Sequence, residues 1–302
     1  MTRITQRSVV LTSLSGLNTN LAAVNKLQQQ LSSGKQISQP SDDPTGTNTA
    51  MLTRQSQAGN AQQARNISDG RTFLDATDPA LQTMLDQVRR VRNLTVQALN
   101  NGAQDAQSQG DIATEVTGIR DSLIGQANQV VQGRPLFGGA TSGSQAYDLT
   151  TGGYTGVGGA NGIPVQPVTR RVSDVEAIRV DITGPEAFGI PGSGTDLFGV
   201  VQSIASHVAD PALLATDLAN LDKVMAQMTT AAADVGTRAA RLEDAEAQNS
   251  SQALNLQAKL SDTEDIDMAK TIMNLQIQQN GYQAALSATA KSISPSLVDF
   301  LK

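Results

Sequence analysis

Apolar residues at Val10, Leu14, Leu17, Leu21, Val24 and Leu31 recur at alternating spacings of four and three, with Gln28 the one polar interruption. That alternation puts them on a single stripe and predicts an amphipathic first helix. Ser33-Gly34 supplies its stop, since glycine adopts the left-handed C-cap without steric cost. Gln36 to Gly46 holds two prolines and predicts a turn-rich hinge. Within it Ser41, Asp42 or Asp43 can cap the next helix, with Pro44 in its first turn. Residues from about 45 to 100 then read as mostly helical. The stretch 55–66 is very polar, and apolar positions resume at Ile67, Leu74, Leu81, Leu85, Val88 and Val91. After a turn at Asn100-Asn101-Gly102, a third helix carries Ile112, Val116, Ile119, Leu123 and Val130 on one stripe and ends at 133–139.

The pattern changes from about 138 to 196, where Gly, Thr, Ser and Pro dominate. Ile178, Val180 and Ile182 alternate with Arg179 and Asp181, the period of a half-buried strand. Val172 and Val175 suggest a second short strand, and the segment reads as a small insert of two to four strands. Helix returns near Asp196 and runs, with a break at Asp210-Pro211, to about 260. Leu214, Leu218, Leu221, Met225, Met228, Ala232, Val235, Ala239 and Leu242 hold the four-three alternation along it. The last helix carries Met268, Ile272, Leu275, Gln279, Tyr282 and Leu286 on one stripe and Ile266, Met273 and Ile277 on a second, and Pro295 stops it.

The expected architecture is mainly α: a long helical bundle or coiled coil formed by the N- and C-terminal segments, with a small β-rich central insert. Residues 1–40 and 261–302 form a terminal coiled-coil layer, 41–137 and 196–260 a helical bundle core, and 138–195 the insert. A single helix pair needs one apolar seam per helix. The second seam of the last helix is therefore left for another subunit. The expected assembly residues are Val10, Leu14, Leu17, Leu21, Val24 and Leu31 with Met268, Ile272, Met273, Leu275, Ile277, Tyr282 and Leu286.

Composition narrows the function. The 302 residues include no Cys and no Trp, one His, and 3% aromatics, with a net charge of -6. Absence of cysteine removes disulfides, thiolate metal sites and cysteine nucleophiles. One imidazole, His207, must serve any triad, and no nucleophile–acid signature surrounds it; a surface or capping role is expected. The run Asp262 to Asp267 lacks the central Gly and distal Glu of a calcium loop, so helix capping is the better reading. The Gly-rich stretch 152–162 precedes no helix and no Gly-Lys-Ser/Thr, which leaves a flexible surface turn rather than a phosphate cradle. Arg89, Arg90 and Arg92 lack interleaved aromatics and point to ion pairing between subunits or a solvated face. No catalytic residue, cofactor or metal site is expected, and neither nucleic acid nor membrane is a partner. The N-terminus has no continuous apolar core, so any export is expected to use a route without a cleavable signal peptide.

Two segments carry a resemblance. Leu31-Ser-Ser-Gly-Lys-Gln-Ile-Ser-Gln-Pro-Ser-Asp-Asp-Pro-Thr-Gly46 resembles the N-terminal signature of the bacterial flagellin family, and Asp86 to Asn100 resembles a helix of that family's second layer. Pro40 and Pro44 around Ser-Asp-Asp, Arg134-Pro-Leu-Phe-Gly-Gly139, and the ending Tyr282-Gln-Ala-Ala-Leu286 with Ser296 to Leu301 are similar to the family's hook–filament junction members. Gly133-Arg-Pro departs from the pattern, where the family more often has an aromatic before Leu-Phe. The resemblance implies a non-enzymatic structural subunit of the extracellular flagellum. Its implied partners are a ring of identical subunits, a neighbouring hook-associated protein and flagellin, and a cytoplasmic export chaperone at the C-terminal helix. It also implies terminal helices that are disordered in the monomer and ordered on assembly. Two alternatives stay open: a filament flagellin with a short variable region, and a secreted adhesive module on a helical stalk.

Overall fold

The computed structural model describes residues 6–100, 106–160 and 162–293, without the side chains of residues 6, 7, 9, 10 and 291–293. The side chain of Val10, the turn beyond Asn100, the stop at Pro295 and the ending at 296–301 lie outside the described residues. The chain is mainly α-helical. Its helices are α1 (Gln6–Ser33), α2 (Pro44–Asn100), α3 (Ala106–Ala127), α4 (Gly184–Phe188), α5 (Leu197–His207), α6 (Pro211–Glu264) and α7 (Met268–Ile293). Between α3 and α4 lie two antiparallel hairpins, β1 (Val130–Val131) with β2 (Arg134–Pro135) and β3 (Thr169–Arg171) with β4 (Ala177–Arg179). The helices start and stop where local chemistry dictates. Gly34, at φ +70°, ends α1. Asp43 accepts from the Thr45 and Gly46 amides at the start of α2, and Asp210 from those of Ala212 and Leu213 at the start of α6. Each satisfies amides that the first turn leaves without partners.

The chain forms two compact units. One comprises residues 60–252, the other 1–59 with 253–302. In the unit of residues 60–252, α2, α3, α5 and α6 share one apolar core. Leu81, Met84, Val88 and Val91 on α2, Val116 and Leu123 on α3, Val201 and Ile204 on α5, and Leu221, Val224 and Met228 on α6 are all fully buried. The middle leucine stripes are thus intramolecular core. Thinly spread aromatics are concentrated in the same unit. Phe137, Phe188, Tyr147, Tyr154 and Phe198 pack edge-on with ring centroids 4.7 to 6.1 Å apart. Where α2 turns polar, its partner does too. Asn60 and Asn249 are buried and exchange side-chain-to-backbone hydrogen bonds of 3.2 and 3.1 Å. A mutually satisfied polar pair inside a helix pair fixes its register.

Four expectations need correction. Val130 belongs to β1 rather than to the stripe of α3, because α3 ends at Ala127. There the Asn128 side chain turns to the backbone of Ala146 and Tyr147. Gln132 and Gly133 both have positive φ and close the β1–β2 hairpin, the geometry a tight two-residue turn demands. The strand expected at Val172–Val175 lies earlier, at Thr169–Arg171, and the alternating stretch 178–182 contributes only Ala177–Arg179. Ser173 accepts the amides of Val175 and Glu176 and makes a turn of those residues, leaving Val175 98% exposed. The Gly-rich segment is not a loose surface turn, since Tyr154 and Ala160 are buried in the core and Tyr147 just before them is too. Arg89, Arg90 and Arg92 pair within the chain, with Asp86, Glu115 and Asp222 at 2.7 Å each.

Candidate assembly surface

Helices α1 and α7 pack along one another in the unit formed by the chain ends. Lys35 lies opposite Asp265 and Asn20 opposite Gln278, so the pair is antiparallel. Residues turned inward on α1 are Ser13, Leu17, Asn20, Val24, Leu27 and Leu31, and on α7 Thr271, Leu275, Gln278, Tyr282 and Ala285. Both sets keep four-three spacing, and both include polar members at the seam. The Gln278 amide donates to the Asn20 carbonyl oxygen at 3.1 Å.

The expected assembly residues therefore separate into two faces. Leu17, Val24, Leu31, Leu275 and Tyr282 line the intramolecular seam. Leu14 and Leu21 on α1, and Met268, Ile272, Met273, Ile277 and Leu286 on α7, are exposed, from 41% at Leu21 to 62% at Ile277. A helix that places Asn20 inside and Leu21 outside has used only part of its apolar residues to fold against its own chain. Sequence reading missed Leu27 on the inner face and Leu11 on the outer one. Leu27, three residues after Val24, could have been found by testing the neighbouring four-three register. It also missed Met51, Leu52 and Leu254, exposed apolar residues of the same unit that lie in stretches without periodicity.

A clasp joins the ends of the pair. The Gln36 amide donates to the Glu264 carbonyl at 2.6 Å and the Ile266 amide to the Gly34 carbonyl at 3.1 Å. Glu264 is buried and its carboxylate meets Arg54 at 2.7 Å and Lys35 at 3.4 Å. Lys35 also meets Asp265 at 2.7 Å, and Ser261 donates to Asp265 at 2.5 Å. The Lys35 hydrogen bond, then the Ser261 one, holds the Asp265 carboxyl below the usual carboxylate range. Asp267 accepts the Lys270 amide at 3.0 Å and caps α7. The acidic run 262–267 thus serves clasp and cap. Among the described residues no group of three His, Asp or Glu side chains is placed to hold a metal ion. His207 closes α5 and bonds Asp217 on α6 through Nδ1 at 2.7 Å, a structural tie between two helices.

One ionic site in the unit of residues 60–252 is more enclosed. Arg179 meets Glu186 at 2.6 Å and Asp181 at 2.9 Å. Glu186 also accepts from the Thr183 amide and hydroxyl, at 2.9 Å each. Burial alone would push the Glu186 carboxyl up, but the Arg179 and Thr183 hydrogen bonds outweigh it and hold it at about 2. The arrangement caps α4 and binds the β4 strand to it; it is a structural site.

The α1–α7 pair leaves apolar side chains exposed on its outer face, while the unit of residues 60–252 encloses an apolar core. Two family profiles match this chain. Residues 4–141 match the bacterial flagellin N-terminal helical region, and residues 218–301 the bacterial flagellin C-terminal helical region, together well over half of the chain. The chain belongs to the bacterial flagellin family. It is 27% identical to flagellar hook-associated protein 3 of Salmonella typhimurium over 94% of each chain. It is 29% identical to flagellin of Bacillus subtilis over 89% of this chain and 88% of that one. Among solved structures, a flagellar hook-associated protein from Vibrio parahaemolyticus has the same fold, with a TM-score of 0.64 at 20% identity. The match covers 74% of this chain and 100% of that one. In this flagellin-family chain both matched regions are mainly helical, the first also holding the β1–β2 hairpin, and the segment between them carries the β3–β4 hairpin and most of the aromatic cluster.

Proposed function

We propose that the chain is a structural subunit that joins the flagellar hook to the filament and self-assembles through its terminal helices. The observation that carries this is the outer face of α1 and α7. Leu14, Leu21, Ile272, Met273 and Ile277 are exposed, while polar Asn20 and Gln278 occupy the inner seam. Fully burying a large aliphatic side chain contributes about 1.5–3 kcal/mol, so several buried together supply a substantial drive to associate. Identical subunits in a ring meet through unlike patches, which fits outer faces of different composition on the two helices. The junction is favoured by the near-complete match, in both directions, to a hook-associated protein. Its neighbours are then a hook-associated protein on one side and flagellin on the other, in the extracellular flagellum.

Deletion of the gene followed by electron microscopy tests the reading. Cells with intact hooks that release flagellin monomers into the medium place the protein at the junction. Cells whose hook ends stay capped and whose filament protein itself is missing make it the filament flagellin, a reading that the 29% identity to the Bacillus subtilis protein supports. Before assembly the apolar face of α7 needs cover. An export chaperone at the C-terminal helix supplies it, and loss of chaperone binding on deletion of 262–302 is the expected result. Unchanged binding refutes that partner.

A further inference from the structure

The six methionines among the described residues fall into two groups. Met51 is 64% exposed, Met268 51% and Met273 55%, and all three lie in the unit formed by the chain ends. Met84 and Met228 are fully buried and Met225 half-buried, all in the unit of residues 60–252. No thioether that solvent reaches readily stands in the cored unit. Met268 and Met273 flank Ile272 on the outer face of α7, with Ile277 one turn beyond Met273.

From this partition we infer that Met51, Met268 and Met273 are oxidation sites, and that a hydroperoxide acting at Met268 and Met273 on the outer α7 face switches off assembly of the free subunit. The inference rests on the assembly reading of the outer α7 face. In the reaction the thioether sulfur attacks the distal peroxide oxygen. An S–O bond forms as the O–O bond breaks, sulfur loses two electrons, and the peroxide leaves as water or an alcohol after taking up the proton. The product is a sulfoxide, a strong hydrogen-bond acceptor in place of a soft apolar side chain. On the solvated monomer it changes little. In an apolar contact with a second copy it has no donor, and the association that buried the thioether is opposed. Once assembled, the same sulfurs are covered and resist the oxidant. Fold and assembly are thus decoupled, because the methionines that hold the core are the ones the oxidant does not reach.

Hydrogen peroxide is the probe. The full chain is treated, mapped by peptide mass spectrometry, and applied to hook ends isolated from cells that lack it. Decorated ends are then counted by immunogold microscopy. Sulfoxide is expected at Met51, Met268 and Met273 well before Met84 and Met228. Decoration should fall about tenfold or more for each sulfoxide that assembly buries. The variant M51L/M268L/M273L should decorate hook ends to the same extent before and after peroxide, whatever its level without it. Methionine sulfoxide reductase should restore the oxidised wild type, a readout that holds even if the triple variant assembles poorly. Equal decoration by oxidised and untreated wild type overturns the inference alone, as does failure of the reductase to restore it. Failure of the untreated wild type to decorate any hook end overturns the assembly reading and the inference with it.

Discussion

On α2, Leu81, Met84, Val88 and Val91 are wholly enclosed, while on α1 the single described hydrophobic residue counted in a core is Val24, 7% exposed. Both helices carry four-three stripes of similar strength. The difference lies in what surrounds them. Helix α2 has apolar neighbours in α3, α5 and α6 and an aromatic cluster in the same unit. Helix α1 packs along α7, and their seam includes Ser13, Asn20, Thr271 and Gln278. Ordering a residue costs about 1–2 kcal/mol of backbone entropy, which a half-polar two-helix seam offsets poorly and a four-helix core offsets well. The cored unit encloses its apolar residues, and the pair of chain ends leaves many of its own exposed.

The largest expected contrast is in amide exchange of the free monomer. Amides of α2 from 67 to 94 should exchange at least about a thousandfold more slowly than those of α1 from 11 to 31, a gap of ~4 kcal/mol in opening free energy. Equal protection in both would remove the distinction. Next comes truncation. Leu81→Ala should cost about 2–5 kcal/mol in denaturant unfolding of the monomer, since it leaves a cavity in a closed core. Leu21→Ala should cost no more than about 0.5 kcal/mol in the same assay yet lower decoration of hook ends. A large loss of monomer stability at Leu21 would make its face part of a core.

The smallest expected effect separates the units by pH. The folded carboxyl of Glu186 stands at about 2 against an ordinary 4.5. Its folded value is depressed, so the stability it contributes is fully present above 4.5 and lost as pH falls through about 2. The full depression corresponds to about 3.4 kcal/mol, and solvent screening of a side chain about one-third exposed brings the expected loss to about 2 kcal/mol. Thermal melts followed by the near-ultraviolet signal of the aromatic cluster should fall across that window. The Glu186→Gln variant should start lower and respond less. A response unchanged in the variant would assign the pH dependence to other carboxylates.

Much of the fold was legible because it is governed by short-range rules. Gly34, Asp43 and the pair Asp210-Pro211 mark helix ends through backbone geometry and capping that depend on a few adjacent residues. Stripes at Leu81, Leu85 and Val88 or at Leu221, Met228 and Val235 reveal a buried face wherever it packs. The insert was less legible. Val172 and Val175 suit a strand by propensity, but the Ser173 side chain bonds the next amides and turns the chain there. The Gly-rich segment reads as mobile by composition, and what fixes it is Tyr154 packing against Tyr147, an effect of contacts rather than of local preference.

By itself the sequence determined that the chain is helical at both ends and that its last helix carries a second apolar seam beyond the one a helix pair needs. Which apolar residues meet inside and which remain for a partner was decided only by the tertiary structure. Leu14 and Leu17, or Ile272 and Leu275, are similarly apolar and share one four-three stripe in the sequence, yet one of each pair lies inside and the other outside. Hydrophobicity alone would have turned Leu21 inward in place of Asn20. The clasp at Lys35, Arg54, Glu264 and Asp265 pins the ends of α1 and α7, and the Asn20–Gln278 hydrogen bond fixes their rotation. Groups more than two hundred residues apart in the chain thereby choose the register, and no local pattern contains that information.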